Sequence, residues 1–257
     1  MQLLIASLMT NGGLARTFWQ TADSGFSHIN YTSYLGGEKG LMSRWKSEWL
    51  DRWAKGGWLR GKRVGDYGIG AGLLGKLLCT NYSIARYVGM DIAARQLEAA
   101  AILLESLAAC PRTLILQSGT PDFSTLGLDV LISQQVIQHF PSQSYVDSWL
   151  SAVETARIPK VFLEVRYAHE ARFSNWGNAN HDKDSTQAEK ENIIDTKQTM
   201  NAHVDTRNYD AISFAVMLNC EYILQRMPSY KLEGKWFTSK GYKRTKFQAC
   251  ALAQKTV

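Results

Sequence analysis

The chain has 257 residues, of which 45% are hydrophobic and 20% are charged, and this composition is typical of a globular protein with one sizeable core. The formal net charge of +6 comes from 29 basic and 23 acidic residues, an excess that permits an anionic partner but does not indicate one. No stretch approaches the ~20 consecutive apolar residues that a membrane-spanning helix needs, so we expect no membrane partner.

The four cysteines are widely separated and form no C-x-x-C pair: Cys79, Cys110, Cys220 and Cys250. This spacing disfavours both a zinc site and a disulfide framework. We therefore expect reduced thiols, no bound metal and a cytoplasmic location.

Residues 1–60 are treated as an N-terminal helical segment because a tryptophan stripe runs through its second half. Trp45, Trp49 and Trp53 recur every four residues, which places them on one face of a helix. The simplest interpretation is that this stripe packs on the rest of the protein. A stacking platform for nucleic-acid bases, or a lid over a ligand, is the alternative.

Residues 61–257 are predicted to form one domain in which strands and helices alternate. The predicted strands are KRVGDYG, RYVGMDI, TLILQSG, LDVLISQQ and KVFLEVRY, and the predicted helices are GLLGKLLCT, ARQLEAAAILLESLAA and SQSYVDSWLSAVETA. Strands joined by helical crossovers pair in parallel, with helices on both faces of the sheet. The pattern predicts an α/β fold with a doubly wound, mostly parallel, seven-stranded sheet.

The alternation stops at about residues 168–206, where a polar insert without apolar periodicity is expected. After it we predict a helix at NYDAISFAVMLN, a strand at CEYILQRMP and a last strand at TKFQACALAQ, connected by YKLEGKWFTSKGYKR. The last two strands would form an antiparallel C-terminal hairpin at the sheet edge. The basic and aromatic residues of the connection suit nucleic acid or, more simply, an exposed edge hairpin.

The glycine-rich stretch VGDYGIGAGLLGKLL, residues 64–78, follows the first predicted strand. A phosphate-binding P-loop is excluded because Leu77, and not Ser or Thr, follows Lys76. The G-x-G-x-x-G spacing of dinucleotide-binding folds is met by Gly70, Gly72 and Gly75.

Two acidic residues indicate whether this stretch binds a pyrophosphate or a cationic ligand. Asp66 lies two residues before Gly68, where an unpaired carboxylate would repel a pyrophosphate and attract a cationic amino group. Asp91 closes the second strand and is placed to accept hydrogen bonds from two ribose hydroxyls. The ligand is therefore expected to carry positive charge at the Asp66 end.

Four segments in chain order, VGDYGIGAG, YVGMDIAARQLEAA, SGTPDF and LDVLISQQVIQHFP, resemble the successive cofactor motifs of the class I S-adenosylmethionine-dependent methyltransferases, a Rossmann-like superfamily. The resemblance runs from about Lys62 to Tyr167. It implies a transferase that uses S-adenosylmethionine and releases S-adenosylhomocysteine.

The resemblance also implies a role for individual positions. It places the methionine part on Asp66, Gly68, Gly70 and Gly72, the ribose on Asp91, and the adenine near Ile92, Gly119 and Thr120. Thr120 departs from the acidic residue or Asn that is frequent there, although Asp122 is near enough to substitute. Ser133, Gln134 and Gln135 would form the lip at which methyl donor and acceptor meet. Residues 1–60 would cover this site.

His139, just beyond the fourth strand, is the candidate general base, because an imidazole titrates near neutral pH. Its alternative role is to cap the next helix or to orient a loop. Weaker acceptor-side candidates lie at and after the fifth strand: Glu164, Arg166, Tyr167 and His169.

The acceptor is expected to be a small molecule methylated on oxygen or nitrogen. The segment SQQVIQHF lacks the Asn or Asp followed by Pro-Pro and an aromatic residue with which related enzymes methylate a flipped base. An RNA methyltransferase of the cap type and an inactive methyltransferase-like binding module stay as alternatives. The sequence does not indicate an oligomeric state.

Overall fold

The computed structural model describes residues 37–107, 109–117, 119–173, 216–238 and 247–256. Helix α1, Gly37–Trp45, continues through a π-helical turn, Lys46–Leu50, into α2, Asp51–Lys55. Trp49 is fully buried and stacks on Phe162 with ring centroids 4.6 Å apart. The packing interpretation of the tryptophan stripe is thus confirmed, and these buried rings offer no exposed platform for bases.

Strands and helices alternate from residue 63 to residue 166 as the sequence predicts. The order is β1 Arg63–Tyr67, α3 Leu73–Asn81, β2 Arg86–Asp91, α4 Ala94–Glu105, β3 Arg112–Leu116, β4 Val130–Gln134, α5 Gln143–Ala156 and β5 Lys160–Arg166. Helix α5 shows why the local prediction succeeds. The Ser142 hydroxyl caps it by accepting a hydrogen bond from the Tyr145 N–H, and its apolar residues recur at helical spacing and are buried.

The remaining described elements are β6 Arg172–Phe173, β7 Val216–Met217, α6 Cys220–Arg226, β8 Tyr230–Thr238 and β9 Phe247–Gln254. The main sheet has seven strands in the order β3-β2-β1-β4-β5-β9-β8. Strands β1 to β5 pair in parallel, whereas β9 is antiparallel to both β5 and β8. The predicted fold class, a doubly wound sheet with an antiparallel C-terminal hairpin, is confirmed.

The assignment of CEYILQRMP as a strand is wrong, because this segment forms helix α6. The Asn219 side chain accepts a hydrogen bond from the Tyr222 N–H at 2.8 Å and so caps the helix. Cys220, Ile223 and Met227 then bury one helical face.

The strand that pairs with β9 is instead β8, within the segment predicted to be a connection. The predicted helix at NYDAISFAVMLN is described only at its end, which forms β7 and not a helix. The predicted insert lies outside the described residues beyond Phe173.

Two disulfides, Cys79–Cys110 and Cys220–Cys250, contradict the expectation of reduced thiols. Sequence separations of 31 and 30 residues conceal the proximity of these cysteines. The end of α3 lies beside the segment that leads into β3, and α6 lies against β9. Disulfides are rare in cytosolic proteins, so the cysteines no longer support a cytoplasmic location.

Two apolar layers cover the two faces of the main sheet. One is built around Trp149 of α5, and the other joins Trp49 and Leu77 to the sheet residues Tyr87 and Phe162. None of the described helices is both long and apolar enough to cross a membrane. In the layer that contains Trp49 and Leu77, the residues of the sheet lie directly beneath α3.

Candidate active site

The glycine-rich loop, residues 68–72, lies where the chain reverses its direction across the sheet. From β1 the chain runs outward through β2 to β3, and then returns to β4 on the other side of β1. In doubly wound sheets the crevice at such a switch point, at the carboxyl ends of the strands, is where ligands bind. The loop begins at the carboxyl end of β1 and therefore stands in this crevice.

The loop turns on three glycines with left-handed backbone, and Gly70 is the one that faces open space. Gly68, Gly70 and Gly72 have φ values of +80°, +52° and +84°, a region that other residues adopt only at a cost. A Cβ at Gly70 would meet no heavy atom within 4 Å. The backbone there is open to a ligand.

Asp91, at the end of β2, is joined directly to this loop. One of its carboxylate oxygens accepts a hydrogen bond from the Gly70 N–H, and the other accepts one from the Ala93 N–H, both at 2.9 Å. Burial raises the pKa of Asp91, while these backbone hydrogen bonds oppose the change. The structure therefore joins Asp91, the residue predicted to bind a ribose, directly to the glycine-rich loop.

Asp66 is buried at the end of β1 and accepts a hydrogen bond from Tyr87. It is 2% exposed, and the Tyr87 hydroxyl donates to its Oδ2 atom at 2.7 Å. Burial raises the pKa of Asp66 to about 7, the hydrogen bond from Tyr87 counteracts this, and the charge of Asp91 adds to it. A carboxyl group with this pKa changes its charge near neutral pH.

Tyr87 is the residue of this site that the sequence analysis missed. Burial and the neighbouring Asp66 raise its pKa well above its usual range, so the hydroxyl stays protonated and donates. The signal that could have identified Tyr87 was the parallel pairing of β1 with β2. This pairing sets Tyr87 beside Val64, and therefore on the same face of the sheet as Asp66.

Gly75, the third glycine of the dinucleotide-like spacing, makes room for the Tyr87 ring. A Cβ at Gly75 would lie 2.6 Å from the Cζ atom of Tyr87, closer than the packing of two carbon atoms permits. The spacing Gly70, Gly72 and Gly75 is therefore explained without a dinucleotide.

The residues expected near the adenine lie at the ends of β2 and β3. Ile92 is partly exposed directly after Asp91, and Thr120 is exposed in the turn after β3. Gly119 lies in the same turn, where its carbonyl accepts a hydrogen bond from the Gln117 side chain at 2.9 Å. The Asp122 carboxylate caps the 3-10 helix Phe123–Leu126 by accepting a hydrogen bond from the Ser124 N–H at 3.0 Å.

The end of β4 combines a buried hydroxyl with a strained glutamine. Ser133 is fully buried, and its Oγ atom has no hydrogen-bond partner in the described part of the chain, whereas Gln134 is partly exposed. Gln135 has φ +55°, and its side chain donates to Glu164 Oε2 at 2.9 Å. Glu164 is itself 1% exposed at the end of β5. Strain of this kind concentrates at functional sites, and here the strained residue holds a buried carboxylate at the carboxyl end of the sheet.

His139 ends the short 3-10 helix Ile137–His139 that follows β4. It is partly exposed, and its ring lies 3.4 Å from the Gln138 side-chain nitrogen. Tyr167 follows β5 and packs edge-to-face on Phe237, with ring centroids 4.9 Å apart. His169 is exposed. The described residues contain no cluster of three potential metal ligands.

The chain matches no protein-family model. Among curated proteins it is 28% identical over 130 residues to peramine synthetase ppzA of Metarhizium rileyi (strain RCEF 4871). The matched segment covers 48% of this chain and 4% of that protein.

Solved structures resemble the chain over most of its length. Magnesium protoporphyrin IX methyltransferase (ChlM) of Synechocystis PCC 6803, with bound S-adenosylmethionine, has a TM-score of 0.59 and 16% identity, and the match covers 96% of this chain and 98% of ChlM. An S-adenosylmethionine-dependent methyltransferase of Clostridium acetobutylicum ATCC 824 has a TM-score of 0.53 and 11% identity, and the match covers 84% of this chain and 92% of that protein. The N-methyltransferase NodS of Bradyrhizobium japonicum WM9 has a TM-score of 0.50 and 8% identity, and the match covers 99% of this chain and 98% of NodS. This chain has the fold of the class I S-adenosylmethionine-dependent methyltransferases.

Proposed function

We propose that this protein is an S-adenosylmethionine-dependent methyltransferase that methylates an oxygen or nitrogen of a small molecule. One observation carries the proposal. The left-handed loop, open at Gly70, follows Asp66 at the end of β1 and is hydrogen-bonded to the Asp91 carboxylate at the switch point of the sheet, and the two carboxyl groups are close enough to interact electrostatically. S-adenosylmethionine carries a sulfonium and an amino group, and two carboxylates favour a cation over a pyrophosphate. Its uncharged ribose suits an acidic partner as well.

Asp91 has the hydrogen-bonding capacity to hold a ribose without giving up the loop. A carboxylate offers about four lone-pair sites, and the N–H groups of Gly70 and Ala93 each use one of them, on different oxygens. A third backbone N–H, that of Ile92, also stabilises this carboxylate, so about one lone-pair site remains for a hydroxyl. We assign a ribose hydroxyl to this site.

The other cofactor contacts are assigned by position around the same crevice. Asp66 and the loop backbone would hold the methionine part, with Ile92, Gly119 and Thr120 around the adenine and the end of β4 beside the methyl group. The bound cofactor supplies the electrophilic methyl group. The protein positions the acceptor, excludes water and accepts a proton when the acceptor nucleophile carries one.

We assign the proton-accepting role to His139, which lies partly exposed directly after β4. Positioned general bases contribute about 10²- to 10⁴-fold to a rate. A His139→Ala variant is expected to lose turnover in this range while its affinity for S-adenosylmethionine stays the same. Full turnover of this variant would reduce His139 to a loop-orienting role.

A small-molecule acceptor is favoured over RNA by the ion pairs of two described lysines at the C-terminal hairpin and the strand beside it. Lys235 pairs with Glu221, and Lys160 pairs with Glu233 at 2.6 Å. These lysines are engaged within the protein, whereas an RNA site uses its cations on phosphates. The curated relative is named for making peramine, which also supports a small molecule.

The deciding experiment is a methyl-transfer screen with labelled S-adenosylmethionine, run in parallel on a metabolite extract and on total RNA. Label in the metabolite fraction supports the proposal, and label in RNA alone would replace it with the RNA alternative. Calorimetry with S-adenosylmethionine and S-adenosylhomocysteine distinguishes an inactive binding module from a protein that does not bind the cofactor. Binding without transfer to either pool would indicate an inactive binding module, and no binding would refute all cofactor-dependent functions.

A further inference from the structure

We propose that Tyr87 is a positioning residue of the cofactor site, and that its hydroxyl favours the ionised form of the Asp66 carboxyl group and thereby sets the pH range in which the protein binds S-adenosylmethionine. The proposal rests on the proposed function, since it concerns the same cofactor. It goes beyond that function by assigning the control of cofactor affinity to a buried residue that packs beneath helix α3.

The geometry isolates Tyr87 and Asp66 from water as a pair. Tyr87 is fully buried, Asp66 is 2% exposed, and the hydroxyl lies 2.7 Å from the Oδ2 atom. The Tyr87 hydroxyl is the side-chain donor whose hydrogen bond lowers the pKa of this carboxyl group. A hydrogen bond to a buried ionised group is strong. When it is lost, no water molecule reaches the carboxylate to replace the missing donor.

The ring that carries this hydroxyl is held in place from two sides. Gly75 at the start of α3 lacks the Cβ that would collide with the ring, and the β1–β2 register fixes the backbone beneath it. A Tyr87→Phe substitution would therefore keep the packing and remove only the hydrogen bond. This makes the role of the hydroxyl separable from that of the ring.

Few other charged groups act on Asp66. Asp91, at the end of the neighbouring strand, disfavours its ionisation. The other elements packed against this part of the sheet contribute apolar side chains, with Ile132 on β4 and Leu74 and Leu77 on α3. The charged residue of α3, Lys76, is partly exposed and is not among the groups that shift the pKa of Asp66. The Tyr87 hydroxyl is therefore what favours the charged form.

The proposal predicts how the affinity for S-adenosylmethionine changes with pH. Because the pKa of Asp66 is raised to about 7, affinity for the cationic ligand should rise with pH and reach half of its full gain near pH 7. Loss of a hydrogen bond to the charged form should move this midpoint upward by about one pH unit. Tyr87→Phe should then bind about fivefold more weakly at pH 7 and almost normally at pH 8.5.

The test is isothermal titration calorimetry with S-adenosylmethionine from pH 5.5 to 8.5 on the wild type and Tyr87→Phe. The matched control is Tyr82→Phe, because the Tyr82 hydroxyl donates to an aspartate, Asp51, at 2.8 Å in the same apolar layer. This control removes a tyrosine-to-aspartate hydrogen bond of similar length that is partly buried and lies away from the loop, so its profile should match that of the wild type.

A Tyr87→Phe profile identical to the wild type at every pH would overturn the proposal and leave the proposed function intact. A wild type that does not bind at any pH would overturn both. Should Tyr87→Phe fail to fold, carbon-detected NMR of the Asp66 carboxyl group in the free wild type gives an independent result. If the Asp66 carboxyl group titrates over the same pH range in which the affinity of the wild type rises, the result supports the proposal. An affinity that does not follow this titration refutes it.

Discussion

The sharpest prediction concerns Asp66→Asn, which should make the free protein more stable while it weakens cofactor binding. The amide is close in shape to a protonated carboxyl group and still accepts the Tyr87 hydrogen bond. It does not carry the charge that burial disfavours at this position. The stabilisation should therefore depend on pH.

The sign and the magnitude follow from the raised pKa of Asp66. Between its ordinary value of 3.8 and about 7, the folded state binds a proton that the unfolded state has released, so stability falls as pH rises through this window. At 1.36 kcal/mol per pH unit, the raised pKa of Asp66 lowers the free energy of unfolding by about 2 kcal/mol at pH 5 and by about 4 kcal/mol at pH 8.5. Asp66→Asn should recover an amount of this order at each pH.

Urea unfolding of the wild type and Asp66→Asn at pH 5 and pH 8.5 measures the effect. Asp129→Asn is the control. Burial opposes the ionisation of Asp129, but its hydrogen bonds and ion pair with Arg63 prevail and lower its pKa. Both pH values lie above the ordinary value of 3.8, so Asp129→Asn should destabilise equally at both. If Asp66→Asn gives the same stability change at pH 5 and pH 8.5, or destabilises the protein at both, the pKa of Asp66 is not raised by burial.

Three further predictions can be checked with standard assays. Gly70→Ala should cost about 1 kcal/mol of stability because of the left-handed backbone, yet weaken S-adenosylmethionine binding at least about tenfold by placing a methyl group in the open crevice; calorimetry beside thermal unfolding compares the two losses. Trp49→Ala should cost about 3–5 kcal/mol in urea unfolding, whereas Ile102→Ala on the exposed face of α4 should stay within about 0.5 kcal/mol. Reduction of either disulfide should cost about 4 kcal/mol, and four free thiols in the unreduced, denatured protein would contradict both bonds.

The parallel half of the sheet could be predicted because its signals are local. Each strand is a short apolar run, and each helix carries its own periodicity, as in α5 with its Ser142 cap. Asp66 and Asp91 could be predicted as candidate site residues for the same reason, since each lies near the carboxyl end of a strand, at the edge where such folds bind ligands.

The C-terminal part was misassigned because the local signals compete there. The segment from Cys220 to Arg226 contains apolar and aromatic residues that suit a strand, and the decisive signal was the single capping residue Asn219. In β8 the signal was alternation, with exposed Lys231, Glu233 and Lys235 between less exposed neighbours. Charge on an edge strand made this segment resemble a loop.

Non-local contacts were beyond the sequence analysis. Tyr87 reaches Asp66 only through the pairing register of β1 and β2, and the cysteine pairs meet only through the arrangement of helices around the sheet. The strain at Gln135 depends in the same way on its two hydrogen bonds to Glu164, one from the backbone and one from the side chain.

The close approach of Gly75 to the Tyr87 ring ties two positions of the chain to one another in evolution and in design. A methyl group at position 75 would displace the ring, so a larger residue there becomes acceptable only together with a smaller one at position 87. Such a paired change would also remove the hydroxyl from Asp66. Among natural or designed relatives, the identity of residue 75 should therefore report whether this acidic group has a tyrosine partner.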